Sequence, residues 1–77
     1  MIQELEEVAL TSDLPDYGLK SGDIGMVLHV YRQGAGYEAE FVTLDGELVT
    51  LVVLRAEQVR RTGADEIAHA RKVETAL

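Results

Sequence analysis

The sequence predicts an all-β fold: one small five-stranded barrel followed by a short C-terminal helix. Three observations predict it. Tyr37-Glu38-Ala39-Glu40-Phe41 alternates apolar and acidic residues, the period-two pattern of a strand that buries one face. Asp45-Gly46 stands between two β-rich runs, a strong hairpin signal. Gly34-Ala35-Gly36 marks a tight connection between the Tyr37–Phe41 strand and the run Asp23–Tyr31, which is rich in β-branched and aromatic residues.

The elements follow in order. Residues 4–10 fit either a short helix or a strand. A strand around Val8–Leu10 is preferred, because Asp13-Leu14-Pro15-Asp16-Tyr17-Gly18 opens a long loop behind it. Pro15 fixes its own φ and pushes Leu14 out of the helical region. Asp23 to Tyr31 is rich in β-branched and aromatic residues and reads as the second strand, and Gly34-Ala35-Gly36 marks a tight connection. The third strand, Tyr37–Thr43, puts Tyr37, Ala39 and Phe41 on one face and Glu38 and Glu40 on the other. The return strand, Glu47–Leu54, is apolar at both parities, so either both faces are covered or a bulge switches parity midway. Arg55–Gln58 suits one 3₁₀ turn, and Val59–Arg61 a last short strand. Strand, long loop, three-strand meander, 3₁₀ turn and short strand is the order of an SH3-like barrel, whose closure limits exposed edges. Thr62 and Asp65 approximate a capping box for a helix through Leu77, with Ile67, Ala70, Val73 and Leu77 as one thin apolar stripe. The expected division is therefore a barrel over 1–61 and a helical tail over 62–77.

Seventy-seven residues make one domain. Without cysteine no disulfide or thiolate metal site is possible, which fits a cytoplasmic protein. No basic and apolar leader opens the chain, and its longest apolar run falls far short of the roughly 20 residues of a membrane helix. Charge is uneven: residues 1–54 carry ten acids against two bases, and residues 55–77 four acids against five bases, for a total of −7. Such a body repels nucleic-acid phosphate and anionic membrane and favours a basic partner. It equally serves plain solubility.

The stretch Val8–Arg60 resembles a bacterial family known as domain of unknown function 4926. The resemblance is carried by Val8-Ala9-Leu10, by Asp13-Leu14-Pro15-Asp16-Tyr17-Gly18-Leu19-Lys20-Ser21-Gly22-Asp23-Ile24-Gly25, and by Val27, Val30, Tyr37, Glu38, Glu40-Phe41, Asp45-Gly46, Leu54 and Gln58-Val59. It implies a barrel like the small SH3-like and KOW-type ones, and no chemistry. The residues after Thr62 lie outside it. Structurally, Gly22 and Gly25 flank a turn into a strand, and Gly25 signals a bulge or a close backbone approach. Leu14, Tyr17 and Leu19 are expected to plug the loop against the barrel. The helix and Lys-Ser/Thr pair of a phosphate loop are missing.

Catalytic and metal motifs are weak. His29 and His69 are the chain's two histidines, and neither stands in a Gly-x-Ser-x-Gly context or a nucleophile pattern. Glu66-x-x-His69 would share a helix face, but a di-metal bundle needs two such pairs. Asp13, Asp16 and Asp23 lack calcium-loop spacing, and Asp13 and Asp16 suit turn capping. No cofactor is expected. Tyr17, on the long loop, Tyr31 and Tyr37 are the best aromatic binding candidates, set against core packing or loop anchoring, with Tyr17 and Tyr31 carried forward as partner-binding residues. Val49, Leu51 and Val53 form a second apolar side of the return strand, which needs cover from the tail helix or from a second chain as a homodimer. The expected function is a non-catalytic protein-interaction module, of antitoxin, immunity or accessory type. The alternatives are a small enzyme or enzyme subunit and, third, a nucleic-acid module.

Overall fold

The computed structural model describes residues 1–74. The elements are β1 (Glu7–Leu10), a 3₁₀ turn at Pro15–Tyr17, β2 (Ile24–Tyr31), β3 (Gly36–Val42), β4 (Leu48–Arg55), a second 3₁₀ turn at Ala56–Gln58, and β5 (Val59–Arg61). They form one antiparallel five-stranded sheet in the order β4-β3-β2-β1-β5. The Asp45-Gly46 hairpin closes as expected. Gly46 is left-handed at φ +89, its N–H donates to Thr43 O at 2.9 Å, and Glu47 N–H donates to Thr43 Oγ1 at 3.0 Å.

One cluster of buried side chains takes members from all the strands, including Val8, Leu10, Val27, Tyr37, Ala39, Phe41, Val52, Leu54 and Val59, with Leu19 from the long loop. No second sheet or helix layer covers them among the described residues. A single sheet that fully buries Phe41, Leu10 and Leu54 must curl round its own inner face. It does not close: no ladder pairs β4 with β5, so the closed barrel of the sequence reading is not formed by backbone pairing. Leu14 and Leu19 do plug the loop, whereas Tyr17 is exposed.

The C-terminal helix is a correction. Residues 62–74 contain one turn, in which Glu66 N–H donates to Gly63 O at 3.1 Å, and no helix. Residues 75–77, including Leu77 of the expected stripe, lie outside the described residues. The tail side chains explain the difference. Glu66 accepts from Gly63 N–H and from both guanidinium nitrogens of Arg60, and Arg71 reaches the long loop. A lone helix of about 13–15 residues is marginal in water, and these contacts hold a non-helical path instead. Ile67, meant for the packed stripe, is almost fully exposed.

Candidate functional site

Strand β4 carries the apolar surplus seen in the sequence, and a bulge resolves it. Phe41 pairs with Thr50 but Val42 pairs with Leu48, so Val49 is the extra residue on β4. The slip turns Val49 toward the core, against which it packs partly buried. Val49 therefore leaves the outward set expected from parity. Leu51 and Val53 remain outward at 48% and 61% exposure, joined by Leu48 at 58%. Among the described residues the tail does not cover them: its hydrogen bonds run to the long loop, Arg60 and β1. β4 is also an edge strand, hydrogen-bonded to β3 on one side only.

Register brings Tyr31 to this region. Tyr31 pairs with Gly36, and Gly36 with Arg55; two residues along, His29 pairs with Glu38, and Glu38 with Val53. Gly36 has no side chain, and a shallow depression of about 260 Å³ opens there, lined by Tyr31, Arg32, Val53, Leu54 and Arg55. The His29 ring meets Tyr31 edge-on at 4.4 Å and stands 3.6 Å from Glu4. Arg32 and Gln33, in the turn beside the depression, are both left-handed at φ +46 and +57, a conformation costly for residues with a Cβ. Of the residues singled out in the sequence, the structure thus joins Tyr31 with Val53 and places Leu51 on the same strand. Tyr17 lies in the loop's 3₁₀ turn and does not line this depression.

The long loop holds a second locus. Gly18 is left-handed at φ +70, and the Leu14–Leu19 bridge closes the loop below it. Ser21 N–H donates to Asp13 Oδ1 at 2.8 Å, so Asp13 caps a turn as expected; the second cap is Asp23, whose Oδ2 accepts from Lys20 N–H at 2.8 Å, rather than the expected Asp16. From the tail, Arg71 Nε donates to Asp23 Oδ1 at 2.9 Å, and Nη2 donates to Gly18 O at 3.0 Å and to Asp23 Oδ2. Burial pushes the Asp23 carboxyl up, but the hydrogen bonds from Arg71 and Lys20 outweigh it and hold the group below the usual range. Sequence reading missed this pair, because nothing local links residues 48 apart.

Among the described residues, no group of His, Asp or Glu is arranged to hold a metal, and no helix is long and apolar enough to cross a membrane. Residues 4–61 match the model of the family described as Domain of unknown function (DUF4926). No curated protein and no solved structure matches the chain.

Proposed function

Since the chain belongs to the DUF4926 family, we propose that it works as a non-catalytic protein-interaction module of SH3-like barrel form, cytoplasmic in location. The observation that carries this reading is the outer side of β4: an edge strand with Leu48, Leu51 and Val53 exposed beside the Tyr31 depression. Such an edge is a template for another chain, because main-chain N–H and C=O groups give affinity while alternate side chains give specificity. β4 has no Pro and no charge between Leu48 and Leu54, and its one edge-blunting device is the bulge at Val49, which leaves the stretch from Thr50 to Leu54 regular. The acids Glu38 and Glu40 on β3 favour a basic partner, and a second copy of the chain is another candidate for the same edge.

The test is affinity capture from the source cell with the wild-type chain and with a Leu51→Lys/Val53→Lys variant. Both positions are outward, so the variant keeps its core. Proteins held by wild type and lost from a folded variant support the reading; equal recovery counts against it.

A further inference from the structure

Arg71 and Asp23 form the most buried ion pair among the described residues, with side chains 25% and 20% exposed. The acceptor side belongs to the domain itself. Asp23 is oriented by Lys20 N–H, the neighbouring Asp13 by Ser21 N–H, and Gly18 presents its carbonyl from a left-handed turn. Two carboxylate oxygens and one carbonyl facing a single guanidinium match the planar fork of arginine, which lysine cannot reproduce.

The donor side is an appendage. Asp23 and Gly18 lie within the family match, while Arg71 lies beyond its end at residue 61. The tail has one turn and no helix or strand over its described length, Ile67 is 94% exposed, and Val73, beside Gly18, is only partly buried, so polar contacts supply most of what holds it down. Segments of this kind sit at the low end of local stability and open readily. The tail also fills its seat incompletely. A cavity of about 430 Å³ remains between Asp13, Pro15 and Lys20 on the loop and Lys72 and Glu74 on the tail.

We propose that Asp23 and the Gly18 carbonyl form an arginine-recognition site, occupied in cis by Arg71 and open in trans to an arginine in an extended, basic segment of a partner protein, which displaces the tail. The site is separate from β4 and does not rest on the reading given for that strand.

The experiment is an NMR amide titration of the full chain carrying Arg71→Ala. The probes are two end-capped peptides, Ala-His-Ala-Arg-Lys-Val from the tail and an unrelated Gly-Lys-Arg-Lys-Gly, each also made with citrulline for arginine. Both arginine peptides are expected to bind with Kd on the order of 1 mM or tighter, shifting the amides of Gly18, Lys20 and Asp23. Wild type should bind at least about tenfold more weakly, since its own tail competes. The citrulline peptides, and Asp23→Asn added to Arg71→Ala, should abolish saturable shifts; the citrulline arm leaves the protein unchanged if the double variant folds poorly. Equal binding of citrulline and arginine peptides overturns the proposal. So does binding of the tail peptide alone, which would make the site a clip for its own tail, and so does the absence of saturable shifts up to about 5 mM.

Discussion

Gly25 is a glycine because of Phe41. A Cβ built on Gly25 would lie 2.6 Å from Phe41 Cε2 and 2.8 Å from Glu40 O, closer than real Cβ atoms come. The absent side chain lets the one phenylalanine of the chain fill the middle of the core. Gly25→Ala must therefore shift ring or backbone, at about 1–3 kcal/mol by the usual cost of overpacking. Phe41→Ala should cost about 3–5 kcal/mol, a large share of the roughly 5–15 kcal/mol that holds a domain together. Urea denaturation of both variants checks this. A Phe41→Ala protein as stable as wild type would mean that the inner face of β3 is misassigned.

The turn after β2 carries strain that glycine relieves. Gln33 at φ +57 has no steric need for its side chain there. Gln33→Gly should leave the fold unchanged and stabilise by up to about 1 kcal/mol, the left-handed cost less the extra entropy of an unfolded glycine. Loss of stability in thermal melts would show that the Gln33 side chain makes a contact worth more than the strain.

Acid should release the tail. Hydrogen bonds from Arg60 and from Gly63 N–H pull the Glu66 carboxyl from its ordinary 4.5 to about 2. The Asp23 carboxyl is also lowered, from its ordinary 3.8, by Arg71 and Lys20 against the opposing effect of burial. A carboxyl lowered on folding stabilises fully above its unfolded value and loses that stabilisation as pH falls through its folded value. The tail contacts should thus be intact above pH 4.5 and weaken toward pH 2. An NMR pH titration should find the Glu66 carboxyl near 2 in wild type and back toward 4.5 in Arg60→Ala. An unchanged Glu66 in that variant would remove Arg60 as the cause.

The acidic body should keep the chain off nucleic acid. Residues 1–54 carry ten acids and two bases, and four of the five bases beyond them, Arg55, Arg60, Arg61 and Arg71, are paired with Glu57, Glu66, Glu6 and Asp23. Gel shifts at low salt with single- and double-stranded DNA and RNA should show no sub-micromolar binding. Binding that falls steeply with salt would contradict this expectation.

Legibility in the sequence followed the range of the forces involved. The β2–β3–β4 meander was readable because alternation at Tyr37–Phe41 and the Asp45-Gly46 turn are local signals. The bulge was legible as one of two options for Glu47–Leu54, but its position was not, because it depends on how Val42 and Leu48 pair across the hairpin. The tail was misread because its helix pattern is local, while its conformation is set by Arg60, Asp23 and Gly18, the last two far away in sequence. Of the candidate site, Leu51 and Val53 were legible from the parity of the return strand, and Tyr31 from residue type alone. Their grouping with Gly36 and Arg55 required the register.

The central claim is that the outer side of β4 is where a partner protein binds. Hydrogen–deuterium exchange on the full chain, with and without a protein recovered by the capture experiment, tests it most directly. The account predicts slowed exchange across Leu48–Arg55 and at Tyr31 when the partner is present, with β1 and β5 unchanged. Protection confined to β1 and β5, or none on β4, would contradict it.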